Sequence, residues 1–145
     1  MILSAILKSK GGTILSVTPA TRITDVVKLL AEKRIGAVIV LDGEGRLEGI
    51  LSERDIVRTL AAHASATFDM TAEDLMTRSP KVATPDTTVA AAMEMMTDGR
   101  FRHLPVVEDG KLVGLVSIGD VVKARLSQQE LEVDSLRAYV VGEVN

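Results

Sequence analysis

Gly49-Ile50-Leu51-Ser52-Glu53-Arg54-Asp55 is answered 65 residues later by Gly114-Leu115-Val116-Ser117-Ile118-Gly119-Asp120. Both stretches read glycine, two apolar residues, serine, two spacers and aspartate. The likeness extends upstream. Thr18-Pro19 leads to Ile23, Val26, Val27 and Leu30, then to the run from Ile35 to Val40. Thr84-Pro85 leads to Val89, Ala92, Met93 and Met96, then to Phe101-Arg102-His103-Leu104-Pro105-Val106. Here the shift is 66 residues, so one residue is lost between Asp42-Gly43-Glu44-Gly45 and Asp109-Gly110. A turn between strands tolerates such a loss. The chain is an internal repeat.

Each copy carries the same predicted elements. A short strand comes first (Ile14 to Val17; Lys81 to Thr84). A helix follows, with apolar residues three, four and seven apart, the stripe of a helix packed on one side. A hairpin comes next, Ala37 to Leu41 with Leu47 to Leu51, and Leu104 to Val107 with Leu112 to Val116. Glycines and Asp109-Gly110 mark its turn. A second helix closes the unit, from Glu53 to Ala62 and from Ile118 to Leu126. The expected fold class is therefore α/β (α+β): two β-α-β-β-α repeats packed face to face.

A unit of about 60 residues hardly buries both faces of its sheet alone, and a second copy packed against it solves that. The connector from His63 to Asp74 is short and poor in glycine and proline, which predicts a rigid pair. Residues 1–65 form the first repeat with a short N-terminal helix (Met1 to Lys8), and residues 74–127 form the second. Residues 128–145 belong to a longer C-terminal helix. Its Leu131, Leu136 and Val140 either cap the core or meet a partner.

Composition narrows the function. The 145 residues are 46% hydrophobic, with a formal net charge of −3. A non-specific nucleic-acid binder carries a basic surplus, so no nucleic-acid partner is expected. Cysteine is absent, which excludes thiol catalysis, disulfides and cysteine-ligated zinc. His63 and His103 lack ligand spacing, so no metal is required. With no membrane-length apolar run and no leader in Met1 to Lys10, a soluble cytoplasmic protein without membrane contact is expected.

Ser-x-x-Asp before a helix has a local reading: serine caps the first turn and aspartate complements the dipole. It also has a ligand reading. Unpaired N–H groups at a helix start attract anions, and a hydroxyl there donates to a phosphate. A carboxylate one turn on accepts from both hydroxyls of a ribose. Glycine three residues before the serine lets another group approach the backbone. Serine for phosphate and aspartate for ribose together describe a nucleotide.

From Ile14 to Leu126 the chain resembles a free-standing tandem pair of CBS domains, on Ser-Glu-Arg-Asp and on Phe-Arg-His-Leu-Pro-Val-Val. The resemblance implies a pseudo-two-fold pair of repeats with two clefts between them, and adenosine ligands: AMP, ADP, ATP, NAD(H) or S-adenosylmethionine. It implies an energy or metabolite sensor, a homodimer, a regulated target protein and no catalysis. By position, one cleft uses Ser117, Asp120, Arg102 and His103, with Thr18, Ile23, Ile35 and Gly36 enclosing the base. The mirror cleft uses Ser52, Asp55 and Arg54, closed by Thr84, Val89, Phe101 and Arg102. Gly36 and Ala37 stand where the second repeat has Arg102 and His103, so the Asp120 cleft is expected to be the better phosphate site. The alternative is a ligand-independent dimerisation scaffold.

Other residues read as structural. Met93, Met95 and Met96 fill core. Gly11-Gly12 lacks the Lys-Ser/Thr ending of a P-loop and reads as a turn. Arg54 and Arg58, one turn apart, read as a solvated or ion-paired face. No serine–histidine pair forms a nucleophile elbow.

Overall fold

Strict alternation decides the first sheet. In β2 (Ala37–Leu41) the side chains of Val38 and Val40 enter one apolar cluster, while Ala37 and Ile39 enter another on the opposite face. That is the two-residue period of a strand buried on both sides. Burying each such Val or Ile contributes roughly 1.5–3 kcal/mol. β2 pairs antiparallel with β3 (Leu47–Ser52) and parallel with the two-residue β1 (Ser16–Val17). The corresponding hairpin of the second repeat is β5 (His103–Glu108) with β6 (Lys111–Ser117). Both hairpins carry a bulge at the same place, between Val40 and Leu41 and between Val106 and Val107. The lost residue lies in the second turn, where Asp109 and Gly110 both take positive φ (51° and 77°) and close it in two residues.

The computed structural model describes residues 1–11 and 14–144. Gly12 of the expected turn and Asn145 of the C-terminal segment lie outside them. Among the described residues the helices are α1 (Leu3–Lys10), α2 (Ile23–Lys33), α3 (Glu53–His63), α4 (Ala72–Leu75), α5 (Val89–Gly99) and α6 (Ile118–Val144). A 3-10 turn over Ala64–Asp69 fills the connector. α2 and α5 bury most of the predicted stripes, Ile23, Val26 and Leu30 in one and Val89, Ala92 and Met96 in the other, while Val27 and Met93 are half-buried beside them. Each then stops at an arginine in the left-handed region, Arg34 and Arg100. None of these helices is long and apolar enough to cross a membrane.

Three expectations need correction. The strand expected over Lys81 to Thr84 shrinks to a single parallel bridge, Ala83 to Val106. Pro80 and Pro85 flank it, and neither has an N–H to extend the ladder. The second repeat's closing helix does not end at Leu126, because no proline or glycine interrupts the chain from Asp120 to Val141. The N-terminal helix also lies elsewhere than its place in the chain suggests. Leu3 and Ile6 of α1 sit in the core of the second repeat, with Val89, Leu104 and Val121. Reciprocally, Ala72, Leu75 and Met76 sit in the core of the first repeat, with Ile23, Val38 and Leu51. Matching bridges pin the exchange, Ile2 to Thr88 and Arg22 to Thr71. Beyond α4, β4 (Thr77–Arg78) pairs with β3 and becomes the fourth strand of the first sheet. A third cluster joins the repeats: Ala37, Ile39 and Ile50 meet Leu112 and Leu115 of β6.

Candidate functional site

Where β6 runs into α6, backbone N–H groups at the helix start need acceptors. Asp120 and Ser117 supply them to each other. The Ser117 N–H donates to Asp120 Oδ2 (2.8 Å), and the Asp120 N–H donates to Ser117 Oγ (3.1 Å). Ser52 and Asp55 repeat the arrangement at α3. There Asp55 Oδ2 accepts from both the N–H (2.9 Å) and the hydroxyl (3.0 Å) of Ser52, a reciprocal capping box.

The two junctions differ beyond the cap. Lys10, the last residue of α1, donates to Asp120 Oδ2 at 2.7 Å and to the Leu115 carbonyl at 2.9 Å. Burial alone pushes the Asp120 carboxyl up. The hydrogen bond from Lys10, the Ser117 N–H and the Lys10 charge outweigh it and hold the pKa below the ordinary 3.8.

Ser117, Asp120 and Lys10 line a cavity of about 750 Å³ between the repeats. The first repeat contributes Ile14, Leu15, Arg34, Ile35, Gly36 and Ala37; the second contributes His103 and Pro85. His103 lies against Gly36, where an added Cβ would meet its Cε1 and Nε2 at 3.4 Å. Burial pushes the His103 pKa below 6.5. Glu53 and Asp120 oppose that, while Lys10 and Arg102 add to it. Polar groups at a helix start, aliphatic side chains and several cations lining one cavity suit a ligand with both an apolar and an anionic part.

Of the residues expected around the first cleft, Ile35, Gly36, His103, Ser117 and Asp120 line this cavity. Thr18, Ile23 and Arg102 do not. Ile23 is fully buried in the first repeat's core and has no surface to offer a base. The Thr18 N–H donates to the Thr21 hydroxyl in the turn before α2. Arg102 is exposed, and its carbonyl accepts the Ile118 N–H (2.7 Å). Around the expected mirror cleft the side chains are engaged elsewhere. Ser52 and Asp55 close on each other, and Arg54 donates to the Arg100 carbonyl (3.1 Å). Val89 is core, Phe101 packs against that core, and the Thr84 N–H donates to the Thr87 hydroxyl. Sequence reasoning missed Lys10, Arg34, Ile14 and Leu15. Ile14 and Leu15 were legible as the approach to β1; nothing local marked Lys10. Among the described residues no group of three or more His, Asp or Glu is placed to hold a metal ion.

Comparison with known proteins places this geometry in a family. The CBS domain model matches residues 12–62 and again 72–127. The CBS domain-containing protein CBSX3, mitochondrial, of Arabidopsis thaliana is 38% identical over 97% of this chain and 72% of its own length. The crystal structure of a CBS-domain-containing protein from Agrobacterium tumefaciens superposes with a TM-score of 0.84 at 39% identity, over 86% of this chain and 99% of that one. CBSX2 in complex with AMP matches at 0.72 and 31% identity, over 88% and 98% of the two chains. The CBS pair of MJ0100, in complex with 5′-methylthioadenosine and S-adenosyl-L-methionine, matches at 0.78 and 25%, over 88% and 98%. Two family matches in one chain, falling on the two repeats that share the cavity, make this protein a member of the CBS-domain family, built as a tandem pair.

Proposed function

We propose that the protein is a regulatory module that binds an adenosine-containing nucleotide (AMP, ADP, ATP or NAD(H)) and performs no catalysis. The observation that carries this reading is the position of Ser117 and Asp120. They stand at the start of α6 and also line the cavity between the repeats. Asp120 is the acceptor for the ribose hydroxyls, and Ser117 is the phosphate donor. Ile35, Gly36 and Ile14 hold the base between aliphatic and backbone surfaces. AMP in CBSX2 supports the ligand class. The Ser52–Asp55 junction is the lesser site, because the Ser52 hydroxyl already donates to Asp55 and Ala37, which brings no charge, stands where the second repeat has His103. The ligand needs no metal.

In this reading the module is a cytoplasmic homodimer acting on a target protein, away from membranes and nucleic acid. Exposed Leu136 and Val140, one turn apart on α6, support self-association as apolar surface open to a second copy. AMP or NADH should raise the melting temperature, by mass action on the folded state. Asp120→Ala should weaken AMP binding by about 1–3 kcal/mol, the effect of leaving hydroxyls unpaired. Calorimetry measures both. No melting shift with any adenosine ligand at about millimolar concentration would sink the proposal.

A further inference from the structure

The Lys10–Asp120 ion pair sets a condition on any ligand of this cavity. Asp120 Oδ2 already receives the Lys10 ammonium at 2.7 Å and the Ser117 N–H at 2.8 Å. A ribose that is to hydrogen-bond this carboxylate competes with Lys10 for it. A neutral nucleoside displaces Lys10 and offers it no counter-ion, leaving it the Leu115 carbonyl and solvent, so the contribution of the ion pair is lost. A phosphate changes the balance, because it offers the ammonium a new counter-ion at the same helix start. The charges around the cavity point the same way. Lys8, Lys10 and Arg34 line it against Asp120 and Glu108.

Resting on the nucleotide reading above, we propose that Lys10 is a specificity-determining residue: it hands its ion pair from Asp120 to the ligand's phosphate, so that the cavity takes phosphorylated adenosine ligands and discriminates against the nucleoside. Lys10 belongs to α1, whose apolar face sits in the second repeat's core. Its backbone is therefore held in place, and the transfer needs only side-chain rotation.

The experiment is calorimetric titration of the full chain with adenosine and with AMP, for wild type, Lys10→Met and Lys10→Arg. Wild type should bind AMP about tenfold or more tighter than adenosine, the scale of a charge-assisted hydrogen bond. Lys10→Met should bring the two affinities within about twofold, chiefly through loss for AMP; Lys10→Arg should restore most of the ratio. If Lys10→Met does not fold, as judged by its melting curve, Lys10→Gln removes the charge while keeping a donor. An unchanged AMP-to-adenosine ratio in the uncharged variant overturns the role of Lys10 and leaves the nucleotide site standing. Wild type binding neither compound overturns both.

Discussion

His103 shows how a residue chosen for its sequence context acquires chemistry from the fold. It lies against Gly36, among Glu53, Asp120, Lys10 and Arg102, and burial lowers its pKa from 6.5. The unfolded chain therefore takes up this proton at a higher pH than the folded one. The stabilisation is complete above about pH 6.5 and is lost as the pH falls from there toward the lower, folded value. Melting temperature should thus decline between about pH 7.5 and about pH 5, and His103→Gln should flatten the decline. An identical profile in the variant would mean that other groups produce it. Asp120 acts lower: its depressed pKa contributes stability that is present above 3.8 and lost only as the pH falls further. At this scale the sequence was half legible. Ser117 and Asp120 stand three apart and were readable as a unit. Lys10 lies 110 residues from its carboxylate, and no local pattern announces a partner that far away.

Elements were more legible than residues, because their signals are local periodicities. Both hairpins and the buried stripes of α2 and α5 follow from apolar spacing alone. The two glycines of the repeated motif were also readable as points of close approach, and the structure supplies the approaching groups. At Gly49 a Cβ would lie 2.6 Å from the Thr77 carbonyl oxygen and 2.9 Å from Met76 Sδ; at Gly114 it would strike Leu7. In both cases the neighbour is the chain's own crossing segment. Gly49→Ala should destabilise by about 1–3 kcal/mol, since backbone in β4 has to move. Gly114→Ala should destabilise less, since the end of the Leu7 side chain can rotate away. Urea denaturation ranks them, and a larger loss for Gly114→Ala would contradict this account. Elements failed to follow sequence where a terminator was misjudged: Pro80 and Pro85 confine the strand at Ala83, and nothing stops α6 at Leu126.

For the whole molecule, the repeat predicted two packed halves, and that architecture holds. What a repeat pattern does not encode is which half each leading helix joins, since α1 and α4 each precede a repeat in the chain and nothing local marks the core that each enters. The exchange yields a paired expectation. Ile6→Ala should remove about 2–3 kcal/mol and loosen the second repeat, speeding amide exchange in α5 and β5. Leu75→Ala, of similar size, should loosen α2 and β2 instead. Amide exchange by mass spectrometry separates the two patterns, and acceleration in the repeat nearest in sequence would refute the exchange. The same crossing also orders events on the ribosome. The first repeat has its complete core once Met76 has emerged. Leu3 and Ile6 are made before any of the second repeat, and the core they join is complete only once Val121 follows. The helix that carries them thus stays unsheltered while the whole first repeat is made, and its core is sealed by a segment synthesised long after it.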